Sequence, residues 1–262
     1  MKSKWVASGL ALVSGWSLTI PLGFAGVGTM SFARSETIGF PQVVVAQQQT
    51  SEIDSAIAEG TRLFKERNAE SSRKAIGYLE KALELARLAK VQDKQSLSLL
   101  ALGRIHDSLG EKQKAIDYYN QSLPISRVVV DRSGEAKTLN HLGVVYFLLG
   151  KKQKAINYFN QVLPIVRAVG DRLGEATTLN NLGRVYNDLG QKQKAINYYN
   201  QSLPIFRAVG DRSGEAKVLN NLGNVYDSLG EKQKAIEYFN QASSILRELD
   251  ESSVKPTVSK PK

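Results

Sequence analysis

Asp131-Arg132-Ser133-Gly134-Glu135-Ala136 returns as Asp171-Arg172-Leu173-Gly174-Glu175-Ala176 and again as Asp211-Arg212-Ser213-Gly214-Glu215-Ala216, forty residues apart each time. The interval is kept by the Leu-Gly pairs Leu102-Gly103, Leu142-Gly143, Leu182-Gly183 and Leu222-Gly223, and by Ala115-Ile116, Ala155-Ile156, Ala195-Ile196 and Ala235-Ile236. A fixed period in this range marks stacked supersecondary units, each contacting its neighbours.

Within one unit, Leu179, Leu182, Val185, Tyr186 and Leu189 fall at three- and four-residue spacings, one apolar stripe on a helix that ends at Gly190. Glycine is the usual left-handed stop there. Beyond it, Ala195, Ile196, Tyr199, Leu203 and Phe206 mark a second amphipathic helix running to about Gly210. One helical hairpin cannot bury its stripe alone, so the units must stack, and the expected fold is an all-α, right-handed superhelical solenoid of five hairpins. The units are expected at about 52–90, 93–130, 133–170, 173–210 and 213–250. The first is divergent: Gly60, Leu63, Ala75, Ile76, Leu79 and Ala82 keep the pattern, while Asn68 to Ser72 lengthen its turn.

These residues resemble the tetratricopeptide family. Leu182, Gly183, Tyr186, Ala195 and Tyr199 occupy the family's slots in one unit, and Leu222, Gly223, Tyr226, Ala235 and Phe239 occupy them in the last. Glycine and alanine let the helices approach closely, and the aromatics fill the gap. His106 stands where the pattern has Tyr, and the usual small residue of the second helix is Ser122, Val162 or Ser202; Val162 is expected to widen its hairpin. The period exceeds the family's usual value of about 34. It is similar to that of kinesin light chains and of the repeat arrays of bacterial CHAT-domain proteins.

Composition is that of an ordinary soluble chain: 262 residues, 42% hydrophobic and 23% charged, with a net charge of +10. The absence of cysteine excludes disulfides, thiolate nucleophiles and cysteine metal sites. Lys2 and Lys4 precede an uncharged stretch from Trp5 to Ala33, and Val44 and Ala46 precede Gln47-Gln48-Gln49. This pattern is expected to direct export, with residues 1–46 either a cleaved signal or a retained anchor, and the repeats periplasmic, secreted or membrane-anchored on the outer side. Residues 47–51 are expected as a linker and 251–262 as a disordered tail.

Pro124, Pro164 and Pro204 recur inside the second helix of three consecutive units, where each removes one hydrogen bond and crowds the preceding turn. Either a shared kink or a helix that stops and restarts is expected. In the last unit Ser243-Ser244 replaces the Leu-Pro pair, which implies a polar cap at that end.

The resemblance places the first helices on a concave face, with groove-lining slots at Asn140, Asn180 and Asn220, beside His141, Asn181 and Asn221. In kinesin light chains, asparagine in this run grips cargo peptide, and the carry-over is to Asn181 and Asn221. An alternative use of the amides is to bond between neighbouring helices and set the repeat spacing. The columns Arg104, Val144, Arg184, Asn224 and Asp107, Phe147, Asn187, Asp227 differ from unit to unit and are expected to carry specificity. Val144, Phe147 and Leu148 form an apolar patch flanked by Arg104, Arg184, Lys137 and Lys217, suited to a ligand with one apolar residue near a carboxylate.

Only two histidines exist, both in repeat slots, and the chain lacks a His-x-x-x-His pair, a Gly-x-Ser-x-Gly elbow and a phosphate loop. The expected function is therefore a non-catalytic scaffold that binds an extended protein or peptide segment, with no cofactor, no metal and no nucleic acid, touching a membrane only through an uncleaved N-terminal anchor. Two alternatives stand beside it. The resemblance implies an accessory substrate-binding partner of a separate CHAT-like protease. The lysines at the hairpin turns (Lys112 and Lys114, Lys151, Lys152 and Lys154, Lys192 and Lys194, Lys232 and Lys234) imply an edge that binds anionic polymer or a membrane surface.

Overall fold

A computed structural model describes residues 40–254, with side chains from 47 to 251. Among the described residues there are ten helices and no strand: α1 (Phe40–Lys65), α2 (Ala69–Leu88), α3 (Gln92–Ser108), α4 (Lys112–Val128), α5 (Arg132–Leu148), α6 (Lys152–Ala168), α7 (Arg172–Asp188), α8 (Lys192–Val209), α9 (Arg212–Ser228) and α10 (Lys232–Val254). They pair as five hairpins, and the second helix of each packs on the first helix of the next, giving the expected all-α solenoid. The backbones of first helices of successive units also approach one another closely, whereas second helices of successive units meet only through long side chains, as where Arg87 reaches Gln121 at 3.3 Å. The first-helix side is therefore the tighter, inner side of the array.

Hairpins two to five each close on a ring placed over a glycine, and in the first Leu79 takes that place over Gly60. A Cβ on Gly183 would sit 2.5 Å from the Tyr199 ring, and one on Gly143 would sit 2.6 Å from Phe159. No other residue fits without displacing a fully buried aromatic. A second aromatic layer lies beside this one: Tyr146–Tyr158, Tyr186–Tyr198 and Tyr226–Tyr238 stack with ring centres 5.3, 5.3 and 5.4 Å apart. His106 on Tyr118, at 5.1 Å, takes the same place in the second unit, so the histidine works there as a flat ring.

The recurring Asp-Arg-x-Gly-Glu-Ala motif builds the joints between units. The Asp131, Asp171 and Asp211 carboxylates accept from the backbone N–H of Gly134, Gly174 and Gly214, capping α5, α7 and α9. Glu135, Glu175 and Glu215 are buried, and each draws in two guanidinium groups. Arg127 Nε donates to Glu135 from the preceding helix at 2.7 Å, and Arg132 Nη1 donates from the first turn at 2.8 Å. Arg167 with Arg172, and Arg207 with Arg212, repeat this clamp on Glu175 and Glu215. Burial pushes the Glu135 carboxyl up, but the two arginines outweigh it and hold its pKa below the ordinary value.

Each of α4, α6 and α8 continues through its proline as one helix, so the helices do not stop and restart there. Pro124, Pro164 and Pro204 all lie on the exposed side of their helices, as do Asn120, Asn160 and Asn200 four residues earlier. Water can satisfy the carbonyls that the missing N–H groups leave over.

The ends differ from expectation in three places. Residues 47–51 are helical within α1 and not a linker; Gln47-Gln48-Gln49-Thr50-Ser51 contains no glycine or proline to stop the helix. At the other end α10 runs on to Val254, taking in residues expected in the tail. Finally, the last unit is not polar throughout its outer face. Ser243 is exposed as a cap requires, but Ile236 and Leu246 beside it are 51% and 44% exposed. Residues 1–39 and 255–262, with the leader's charged start and most of the expected tail, lie outside the described residues. Among the described residues, no helix is long and apolar enough to cross a membrane.

Candidate functional site

The inner face carries the asparagines where the repeat places them, and its geometry joins their two columns. Asn181 Nδ2 donates to Asn140 Oδ1 at 3.2 Å, and Asn221 Nδ2 donates to Asn180 Oδ1 at 2.9 Å. These bonds run from α7 to α5 and from α9 to α7, so one amide of each pair spaces neighbouring units. An amide has two donor hydrogens and two acceptor lone pairs, and one bond does not exhaust it. Asn140, Asn180 and Asn220 stay half-exposed with their Nδ2 groups outside these bonds, whereas Asn181 is buried. The amides thus divide into a stitching set, Asn181 and Asn221, and an outward set, Asn140, Asn180 and Asn220.

His141 stands where the ladder would have a further asparagine. Its ring stacks on Tyr119 at 5.4 Å. Burial first, and then the positive charge of Arg104, lower its pKa to about 4, with Asp107 opposing. It is a neutral ring at ordinary pH. Beneath it the Tyr119 hydroxyl is buried without a hydrogen-bond partner, in a place that the repeat fills with Phe159 one unit later.

The variable columns come together only in part. Arg184 is exposed and lies over the half-buried Phe147 ring, 5.3 Å from its centre. Val144 and Phe147 pack against the cluster of Ile156, Phe159, Leu182 and Val185, so much of the expected apolar patch joins units three and four, and Leu148, at 55% exposed, is its accessible part. Arg104 does not reach Phe147; it covers Phe64 of the first unit at 5.6 Å. Asn224 is exposed on α9.

A cleft of about 200 Å³ opens at the joint between the third and fourth units, lined by Lys137, Asn140, His141, Val162, Leu173 and Thr177 among others. Its origin is legible in one substitution. Ser202 donates to the Ala176 carbonyl at 2.7 Å and Ser122 to the Ser96 carbonyl at 3.0 Å, drawing the two helices of their hairpins together. Val162 makes no such bond and is buried as one wall of the cleft.

The lysine edge is largely spoken for. Lys112, Lys232 and Lys152 pair with Asp107, Asp227 and Asp188 at 2.6 Å each, and Lys192 donates to Asn187 at 2.6 Å. Lys154, Lys194 and Lys234 lie over Tyr146, Tyr186 and Tyr226 at 5.3, 5.3 and 5.1 Å, with Lys151 also beside Tyr146. Lys114 pairs with Glu111. Among the described residues no cluster of His, Cys, Asp and Glu is arranged to hold a metal ion.

An all-helical array whose inner side presents outward amides, unlike side chains from unit to unit and a cleft at one joint is an interaction scaffold in architecture. The tetratricopeptide repeat model matches residues 67–127, 134–208 and 201–248, and the chain belongs to that family. Among solved structures it is similar to BtubC (BKLC) from P. vanneervenii, at 20% identity, TM-score 0.59 and coverage of 83% of this chain and 96% of that one. It is similar also to a Podosopora anserina putative kinesin light chain with nearly identical repeats, at 19% identity, TM-score 0.57 and coverage of 78% and 97%. A Rap protein solved with Competence and Sporulation Factor matches at 16% identity and TM-score 0.66, over 81% of this chain and 60% of that one. No curated protein matches the chain.

Sequence reasoning did not foresee the glutamate clamp, and it raised bonds between the asparagine columns only as an alternative use of the amides. The first was visible as an invariant Glu in the repeat with an Arg eight residues before it: Arg127, Arg167 and Arg207. The second depends on a contact between residues forty-one apart, which only the stacking of the units creates.

Proposed function

We propose that this chain is a non-catalytic scaffold that holds an extended peptide segment along its inner face. The observation that carries the reading is the outward amide set Asn140, Asn180 and Asn220, each fixed in place by its helix and, for the first two, by a bond to the next unit. Amides spaced one unit apart can pair with the backbone of an extended chain whatever its sequence. Side-chain selection then falls to Arg184, Asn224, Leu148 and the cleft beside Lys137. The Rap protein complex supports the reading as a similar repeat array that has been solved with a bound factor. The apolar N-terminal stretch further supports a proposal of export, with the repeats on the outer side of a membrane; N-terminal sequencing of the mature protein checks whether residues 1–46 are removed.

The test is selection of linear peptides from a displayed library against the full-length chain, followed by affinity measurement with an Arg184→Ala, Asn220→Ala, Asn224→Ala variant. Of these three side chains only Arg184 reaches another unit, through its exposed stacking on Phe147, so helicity is expected to stay unchanged. A loss of affinity of at least tenfold supports inner-face binding. Equal affinity, or selection of no peptide at all, overturns it.

A further inference from the structure

The second helices of the inner units are covered by the first helix of the unit that follows. Ile116, Ile156 and Ile196 are 4–5% exposed under α5, α7 and α9, and Val166 and Phe206 are 2% and 4% exposed. On α10 the equivalent residues are Ile236 at 51%, Leu246 at 44% and a half-buried Phe239, whose other edge rests on Gly223. With Ser243 they form a stripe at three- and four-residue spacing, the pattern of a helix-pairing seam.

The other end of the array cannot cover this stripe. The longer first turn shifts α1 by three residues, so its positions equivalent to the buried Ser98, Leu102 and Ile105 are Ser55, Glu59 and Arg62, of which Ser55 and Arg62 are exposed and Glu59 is half-buried. Arg62 is held there in ion pairs with Glu59 and Glu66 at 2.7 and 2.9 Å. That face is polar and charged, which excludes head-to-tail stacking. Residues 255–262 hold one apolar side chain apart from their prolines, Val258, too little to shield two large aliphatics and a ring.

The charge pattern of α10 points to a copy of itself. Lysines (Lys232, Lys234) occupy its first turn, and acids (Glu248, Asp250, Glu251) outnumber Arg247 in its last two, the reverse of what a helix dipole favours, although Lys232, Lys234 and Glu248 also pair within the chain with Asp227, Glu231 and Arg212. An antiparallel copy sets basic start against acidic end. With a two-fold axis near Gln241, Ile236 falls opposite the second copy's Leu246, Phe239 opposite its Ser243 and Lys232 opposite its Asp250. We infer that α10 is the contact of a closed, two-fold symmetric dimer in which two chains join end to end, extending one peptide-binding face into two. The seam is short, and such an interface belongs with weak, concentration-dependent ones.

The absence of cysteine makes the register testable in the full-length chain. Ile236→Cys and Leu246→Cys are introduced singly and together, and each chain is oxidised across a concentration series. Antiparallel pairing is expected to give a covalent dimer from the double variant, with roughly tenfold less from either single one. In parallel, sedimentation of the cysteine-free chain is expected to show a monomer–dimer equilibrium that Ile236→Glu abolishes while helicity stays the same. Efficient crosslinking by each single variant overturns the antiparallel register. A ladder of higher species overturns closure, and a chain that stays monomeric and uncrosslinked at the highest concentration overturns the dimer.

Discussion

The interior of the array and its last unit are written with nearly the same residues, yet the same residues are held differently. Tyr119, Phe159 and Tyr199 are at most 1% exposed between a glycine on one side and the next unit on the other. Phe239 has the glycine but, among the described residues, no next unit, and it is half-exposed. In a solenoid the stability of a residue belongs as much to the interface beyond it as to its own hairpin. Sequence identity between units therefore does not imply equal energetics.

The sharpest way to break that comparison is to add one methyl group at two equivalent places. A Cβ at Gly183 meets the Tyr199 ring at 2.5 Å, and one at Gly223 meets Phe239 at 2.6 Å. Tyr199 has no free space to retreat into, so Gly183→Ala is expected to lose about 2–3 kcal/mol through overpacking. Phe239 can swing toward solvent. There the gain in helix propensity of about 1 kcal/mol offsets most of the cost, and Gly223→Ala is expected to come out within about 1 kcal/mol of the parent. Urea unfolding of the two variants checks this. Equal losses mean that α10 is covered in solution as firmly as α8, which itself supports a partner on that face.

A second difference separates the joint between units two and three from the later ones. His141 stands there where Asn181 and Asn221 stand afterwards, and its pKa is lowered from 6.5 to about 4, mainly by burial. Between those values the unfolded chain binds the proton and the folded chain does not. Stability is thus fully present above about pH 6.5 and falls as pH drops toward 4, by an amount on the order of 2 kcal/mol. His141→Asn is expected to flatten that part of the profile. The clamp carboxylate Glu135, whose pKa lies below the ordinary value, loses its contribution only at lower pH, so the two arms are separable. Thermal unfolding of the parent and the variant at a series of pH values is the measurement. Parallel profiles would place the histidine in an environment as wet as water.

The order and number of helices were legible because the period is strict, because Leu-Gly faces Ala and an aromatic in units two to five, and because a glycine in most units marks each turn. The inner-face residues were legible as columns for the same reason. What was not legible is everything that needs the units placed against one another. Asn181 could be assigned to a ligand or to its neighbour with equal justice until its bond to Asn140 fixed the spacing role. Phe147 could not be told apart as groove or core, since its spacing is the same either way and its burial depends on α7. The lysines read as one edge because their partners, Asp107, Asp188, Asp227 and the tyrosines, lie on other helices. Ser243 read as a cap because a pair of serines is polar, while the exposure of Ile236 and Leu246 follows from a missing neighbour that no local pattern records.

The smallest effect lies at the turns between units. Gly170 and Gly210 have φ of 72° and 73°, the left-handed conformation that ends α6 and α8. At the same place in the preceding turn stands Val130, with φ of 57° and a side chain 72% exposed. A left-handed residue other than glycine costs about 1–2 kcal/mol, and a β-branched one is the worst choice. Nothing buries that valine to compensate. Val130→Gly removes the steric cost and gives back about 0.5–1 kcal/mol to the entropy of the unfolded chain, so a net gain of roughly 1 kcal/mol is expected. The mirror substitution Gly170→Val should lose at least as much, because it adds the strain to a turn that lacks it. If both leave the denaturation midpoint unchanged, the turn relaxes out of the left-handed conformation when a side chain is present. The joint between units two and three and the later ones are then alike in energy as well as in fold.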